Sequence, residues 1–238
     1  RTLNTTLTIS NSRFDSCSAS GQGGAIFFAG ERGRSTMKNV DFVQCSALEG
    51  GAAAVASGAE LRLESCLMED NSCVLDGGSV VVHGTGSRLN LVGGNELVGS
   101  EALNGGAVTV REQAFAELIG RNSFRDNAAG FMGGAVCVLS GASLHARTAD
   151  AAEDGVEDRQ NTASMGGGFN FESSSFLISG RARFEGNRAL HQGGAITLRL
   201  FSQMTMEGGM RFHDNHAELG GWLYVWMGVT AVVKGGVE

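Results

Sequence analysis

The chain has 238 residues with a formal net charge of −7, 42% hydrophobic residues, 37 Gly, 5 Cys and no Pro. The hydrophobic fraction excludes a disordered chain. The acidic balance argues against nucleic acid, because no basic stripe is visible to displace counterions, and against adsorption to an anionic membrane. No apolar run reaches the roughly 18 to 20 residues of a spanning helix. The longest, Trp222 to Val233, is short and interrupted by Gly228. Absence of Pro with abundant Gly fits stacked hydrogen-bonded strands joined by tight turns.

In chain order, Gly pairs fall at Gly23-Gly24, Gly50-Gly51, Gly77-Gly78, Gly105-Gly106, Gly133-Gly134, Gly166-Gly167, Gly193-Gly194 and Gly220-Gly221. Their spacings are 27, 27, 28, 28, 33, 27 and 27 residues. Such a period marks a repeat architecture. After each pair the first and third positions of a short segment are apolar: Ile26 and Phe28, Val80 and Val82, Val136 and Val138, Ile196 and Leu198. The residue between them varies (Phe27, Val81, Cys137, Thr197), the period of two of a half-buried strand.

Before each pair runs a second set of columns. The aromatic or apolar column is Phe14, Phe42, Met68, Leu97, Phe124, then Asp158, Phe184 and Phe212. Three residues on is a polar column: Cys17, Cys45, Asn71, Ser100, Asn127, Asn161, Asn187 and Asn215. A small column follows, from Ala19 to Ala217. Further upstream are alternating segments such as Leu61-Arg62-Leu63 and Met204-Thr205-Met206. Each repeat therefore reads as two or three short strands. No segment has a helical period with caps. A leucine-rich repeat would need L-x-x-L-x-L, and a left-handed hexapeptide helix a six-residue spacing; both patterns are missing. The expected fold is an all-β, right-handed parallel β-helix of about eight coils, one domain over 1–238 and a piece of a longer chain, since it opens at Arg1 rather than Met. Strands roughly 4.8 Å apart make eight coils a rod of roughly 38 Å. The Asn column reads as an internal amide ladder and the Gly pair as a bend with φ > 0.

The paired motif F-x-x-N and G-G-A-[I/V], as in Phe124-Arg125-Asp126-Asn127 with Gly133-Gly134-Ala135-Val136 and again from Phe184 to Ile196, resembles the polymorphic outer membrane protein repeat of chlamydiae. The resemblance covers essentially the whole chain. It implies a passenger-type β-helix, adhesive or structural rather than enzymatic, at the cell surface. A lumenal or peripheral subunit of a large complex is the other compartment considered. The first two coils depart from it with Cys at the Asn position, and the sixth with Asp158 at the Phe position.

Function is expected where the template is not obeyed. The spacing of 33 marks an acidic insertion over 143–161, carrying Asp150, Glu153, Asp154, Glu157 and Asp158. It reads either as a solvated loop or as a partner or Ca²⁺ contact, although the calcium-loop pattern is lacking. In the last coil Trp222, Tyr224 and Trp226 alternate, as if on one face; they read as an end cap or as a contact surface for a protein or carbohydrate. Cys17 and Cys45 stack in one column, as buried thiols or as a bridge. No catalytic motif, zinc spacing or cofactor fingerprint occurs, so no catalytic, metal or cofactor residue is assigned. The reading is a non-catalytic scaffold for a protein partner or a cell-surface glycan. The alternative is a carbohydrate-active or sugar-binding β-helix of the pectate-lyase type.

Overall fold

The computed structural model of the chain describes residues 5–148 and 155–236. All strand pairing is parallel, and each strand pairs with its equivalent one coil on, about 27 residues away. The result is a parallel β-helix of about eight coils, without a helix among the described residues. A complete coil has four strands, against the two or three read from the sequence. The third repeat, for example, contributes Glu60–Glu64, Leu67–Glu69, Ser72–Cys73 and Val80–His83. The added element is the two- to five-residue strand of the small column, too short to show an alternation of its own. In chain order these four strands form four walls. At the N-terminal end, Thr6–Asp15 and Arg34–Val43 each run unbroken through the first two walls, bending at Asn11 and Asn39 with φ of 50° and 53°.

The bore is filled by the columns. Phe42, Leu61, Leu63, Met68, Val80, Val82, Leu97 and Phe124 are fully or almost fully buried in one continuous core. Burying each such side chain contributes about 1.5–3 kcal/mol. Equivalent rings stack in register: Phe14 on Phe42 and Phe184 on Phe212, each with centroids 5.1 Å apart and planes 10° apart.

The Asn column fixes coil to coil by a repeated two-point contact. Each amide oxygen accepts the backbone N–H of its column-mate in the preceding coil: Cys45 N–H to Asn71, Ser100 to Asn127, Asn127 to Asn161, Asn161 to Asn187, and Asn187 to Asn215, at 2.9–3.1 Å. Each amide nitrogen donates to the carbonyl of the aromatic column in that same preceding coil: Asn71 to Phe42, Asn127 to Leu97, Asn161 to Phe124, Asn187 to Asp158 and Asn215 to Phe184. The residue before each Asn is in the left-handed region, as at Asp70 (φ 53°), Asp126 (58°) and Asp214 (51°), which turns the backbone so that the amide points inward. A shorter ladder at the corner of the first two walls went unread in the sequence. There Asn95 accepts from Cys66 N–H at 3.0 Å and donates to Asn122 at 2.9 Å.

The two glycines of a pair have different reasons. The first has φ of +60° to +72° throughout. The second is in no such conformation, but a Cβ on Gly194 would lie 2.1 Å from the carbonyl oxygen of Gly221, and one on Gly51 would lie 2.1 Å from that of Gly78. The second glycine is thus required by the approach of the next coil rather than by the turn itself.

The sixth coil carries a compensated exception. Asp158 lies in the second wall between Phe124 and Phe184, faces the bore and is fully buried. Its Oδ1 accepts from Asn161 Nδ2 at 2.8 Å, and its Oδ2 has no partner. The small residue after the Gly pair is here Gly168, where a Cβ would lie 2.0 Å from Asp158 Oδ2. The missing ring volume is supplied across the bore by Phe169, whose centroid is 5.9 Å from Phe124 and 5.3 Å from Phe184. Burial raises the Asp158 carboxyl well above its ordinary value of 3.8. The folded state therefore holds this proton more tightly than the unfolded chain does. Its stabilising contribution is full below the unfolded value and is lost as pH rises through the folded one.

Two outcomes follow. Asn127→Leu removes both contacts to the preceding coil, leaving Ser100 N–H and the Leu97 carbonyl unpaired, and is expected to cost ~2–4 kcal/mol in urea unfolding. Asp158→Asn is expected to flatten the loss of stability that the wild-type chain shows as pH is raised above about 4, measured as melting temperature against pH. An unchanged pH profile would contradict an inward, protonated Asp158.

Candidate functional site

The chain buries a second set of side chains outside the bore. The variable residues of the fourth wall, Ala54, Val81, Thr109, Cys137, Asn170 and Thr197, point away from the main core yet are fully buried. They fill the corner between the third and fourth walls, where Thr109, Asn170 and Thr197 pack on the first glycine of their own turn (Gly105, Gly166 and Gly193) and Val81 packs on Gly50 of the preceding coil. Thr109 and Thr197 donate to the carbonyls of Asn104 and Gln192 at 2.8 and 2.9 Å. Two columns roof this corner. One is the residue just before each Gly pair, from Gln22, Glu49, Asp76 and Asn104 through Met132 and Met165 to Gln192. The other is the last residue of each fourth-wall strand: His83, Arg111, Leu139, Glu172, Arg199 and Trp226.

The chemistry of this roof changes along the rod. In the first four coils it is a charge network centred on Arg111. Its Nη2 donates to Glu49 at 2.8 Å, and its Nη1 pairs with Glu112 at 2.5 Å. Its Nε lies 3.2 Å from Asp76, an ion-pair distance without hydrogen-bond alignment. Gln22 donates to Glu49 at 2.6 Å and contacts His83 Nε2 at 3.1 Å, and Asn104 donates to Asp76 at 3.0 Å. Glu49 and Asp76 are thus neighbouring acids on adjacent coils. However, a guanidinium lies between them and amides hold their other oxygens, an arrangement that favours two fixed carboxylates over a proton-transferring pair.

In the next two coils the roof is sulfur and hydrocarbon: Met132, Met165, Cys137 and Leu139 cluster together. The Asn170 amide nitrogen lies 3.6 Å from the Met132 sulfur and 3.8 Å from that of Cys137. In the last coils it becomes aromatic and basic, with Arg199 over the Trp226 ring at 5.4 Å.

Beside the roof, on the third wall, runs an exposed apolar ladder. Leu48, Leu75, Leu103 and Phe131 occupy one position in four successive coils, each 37–45% exposed. Leu75 N–H donates to the Leu48 carbonyl and Leu103 N–H to that of Leu75, both at 3.0 Å, so the side chains rise as a stripe. The signal is present in the repeat alignment, two positions before the Gly pair.

The second wall bears a further pattern that the linear sequence scatters. Arg121, Arg125, Arg159, Arg183 and Arg211 come together on its outer face, but acids interleave. Arg121 and Arg159 pair with Glu157 at 3.4 and 3.5 Å, Arg183 with Glu185 at 2.7 Å, and Arg125 with Glu96 at 3.6 Å. The sequence reading of no basic stripe is amended to a basic cluster with interleaved counter-charges.

The sites expected from the sequence are distributed differently from that reading. The insertion of 143–161 contracts at both ends, because Ser143–Arg147 and Val156–Arg159 are strands in register with their neighbours. Asp150, Glu153 and Asp154 lie outside the described residues. Glu157 sits on the outer face of the second wall among arginines, and Asp158 faces the bore; neither is in a loop. Trp222, Tyr224 and Trp226 do not share a face. Trp222 follows the Gly pair, where the preceding coil has Ala195, and lies against Phe212 at 4.7 Å, whereas Tyr224 continues the outer-corner position of Thr197 and Trp226 the roof position of Arg199. Asn71, Asn127, Asn161, Asn187 and Asn215 form the coil-to-coil contacts described above. Cys17 and Cys45 are free thiols, as are the other three cysteines. Burial pushes the thiols of Cys45 and Cys66 upward and that of Cys73 up to about 12. Such thiols are poor nucleophiles at neutral pH.

No family model, no curated protein and no solved structure matches the chain. Among the described residues no group of three or more His, Cys, Asp or Glu is placed to hold a metal ion, and no helix is long and apolar enough to cross a membrane.

Arg111→Met is expected to leave Glu49 and Asp76 facing one another without a cation. The expected loss is ~1–3 kcal/mol, larger than that of Glu112→Gln, which removes one exposed partner of the same guanidinium. Urea unfolding of the two variants checks this. Equal losses would mean that the guanidinium gains nothing from lying between Glu49 and Asp76.

Proposed function

We propose that the chain is a non-catalytic scaffold, a rigid rod whose outer walls bind a macromolecular partner. The observation that carries this reading is the exposed ladder of Leu48, Leu75, Leu103 and Phe131. Contiguous apolar stripes on an otherwise polar surface mark interaction sites. The rod beneath it is rigid, since each coil is fixed to the next by backbone ladders and by the Asn contacts. A row of side chains on such a support keeps its spacing and loses little entropy on binding. The engaged state of Glu49 and Asp76 and the raised thiol values support a binding role over a catalytic one.

The resemblance to the chlamydial surface repeat supports an adhesive role at the cell surface, with a protein as the partner of the ladder. The pectate-lyase-like alternative is favoured by one feature only, the adjacent acids Glu49 and Asp76 on neighbouring coils.

Leu75→Lys combined with Leu103→Lys tests the scaffold reading. The double variant is expected to keep its melting temperature within a few degrees, because both side chains are exposed, while losing at least tenfold in affinity for a protein partner captured by the wild-type rod. Release of reducing ends from a polysaccharide by the wild-type chain, abolished by Glu49→Gln or Asp76→Asn, would overturn it in favour of the enzyme.

A further inference from the structure

The roof of the outer corner ends, in the last coils, in an open pocket of about 330 Å³ lined by Phe131, Met165, Gln192, Arg199, Tyr224 and Trp226. Its size is at the lower end of the roughly 300–1,000 Å³ typical of small-ligand sites. The polar groups around it are charge-balanced but short of hydrogen-bond partners. Arg199 Nη1 lies 4.0 Å from Glu172 Oε2, close enough for mutual neutralisation and too far for a hydrogen bond. Its nearest acceptor is the Met165 sulfur at 2.9 Å, a weak one, and its Nε is buried with no acceptor at all. Among the described residues no donor reaches the Glu172 carboxylate and none of the Gln192 side-chain atoms is hydrogen-bonded. A donor fork and an amide therefore line the pocket, with the Glu172 carboxylate beside the fork at 4.0 Å, each with unused capacity.

The apolar side of the pocket is aromatic. Trp226 and Phe131 are 43% and 45% exposed, and Tyr224 is half-buried. The Arg199 guanidinium over Trp226 orients that ring. Rings of this kind offer a flat apolar face at low entropic cost.

The occupant must satisfy both halves. A hydroxyl both donates and accepts, so it can bridge a guanidinium and a carboxylate that stand 4.0 Å apart. A saturated ring bearing several hydroxyls also presents a C–H face to an aromatic ring. An anionic ligand fits less well, because Arg199 already has its counter-charge in Glu172 and the chain carries a net charge of −7. A cationic ligand would meet Arg199. We propose that this pocket binds a neutral glycan, with a sugar ring stacked on Trp226 and Tyr224 and its hydroxyls held by Arg199, Glu172 and Gln192. The proposal rests on the scaffold reading and deepens it by giving the rod a ligand at the end of the apolar ladder, whose last residue, Phe131, lines the pocket.

The chain has two tryptophans of similar exposure, Trp222 at 38% and Trp226 at 43%, so tryptophan emission is followed in a Trp222→Phe background, where Trp226 is the one remaining indole. The intact chain would be titrated with neutral oligosaccharides (gluco-, manno-, galacto- and xylo-oligomers), with oligogalacturonate and with an unrelated acidic peptide. Calorimetry would run in parallel. The expected result is a saturable blue shift with at least one neutral oligomer. Arg199→Met and Trp226→Ala should each weaken binding tenfold or more without lowering the melting temperature, and Gln192→Ala should weaken it less. Should Trp226→Ala fail to fold, Arg199→Met and Glu172→Gln, read by calorimetry, decide the matter. Absence of saturable binding to every neutral oligomer, or preference for oligogalacturonate or the peptide, would overturn the proposal. Products of cleavage in the same titration would instead overturn the non-catalytic reading while leaving the glycan site standing, so the two failures are distinguishable.

Discussion

A coil of a β-helix cannot bury its own apolar face, so everything in this chain depends on how one coil is held against the next. Backbone ladders do most of this along the walls, but they stop at the corners, where the chain turns and peptide groups would otherwise be orphaned inside the rod. The side-chain amide of the Asn column meets that need. It carries one acceptor and a donor group in a fixed geometry, and the preceding coil presents one N–H and one carbonyl at matching positions. This explains why the column tolerates little besides Asn through the middle and end of the rod. Serine at position 100 and the cysteines at 17 and 45 cannot make the double contact. In those coils the thiols and hydroxyl turn instead to nearby carbonyls, as Ser100 does to Val98 at 3.4 Å.

The same stacking rule shapes the outside of the molecule. Equivalent positions in successive coils fall in columns, so a surface property needs only one residue per coil to become a continuous stripe. The leucine ladder, the charge network on Arg111 and the arginine–glutamate face of the second wall are all built this way. The fully buried outer corner adds stiffness, since Val81, Thr109, Cys137 and Asn170 pack a second, smaller core against the fourth wall. A rod with two cores and columnar surface chemistry is suited to presenting a fixed array of contacts, the physical basis of the scaffold proposal.

Much of this architecture was legible in the sequence because the repeat aligns residue by residue. The Gly pairs, the apolar columns and the Phe and Asn positions place Ile26, Val80, Phe124 and Asn127 where the structure has them. Legibility failed wherever a residue's role is set by a neighbour 27 residues away rather than by its own pattern. Glu49 and Asp76 carry no local signal in the sequence, and only stacking brings Arg111 between them. Asp158 reads both as the sixth coil's Phe position and as part of the acidic insertion, and its register with Phe124 and Phe184 decides for the first. Gly168 and Phe169, ten and eleven residues on, are the residues that accommodate it there. Trp222, Tyr224 and Trp226 alternate as a strand would, but the turn out of the Gly pair rotates Trp222 inward, and alternation does not extend through a turn.

The coil-to-coil amide contact can be tested most directly by hydrogen exchange at single-residue resolution. The backbone N–H groups of Ser100, Asn127, Asn161 and Asn187 lie at turns, yet each donates to the Asn side chain of the following coil. The account predicts that these four exchange as slowly as the neighbouring wall amides of Phe124 and Phe184, with rates set by opening of whole coils. Exchange at the fast rates of exposed turns, while the wall amides stay protected, would contradict it.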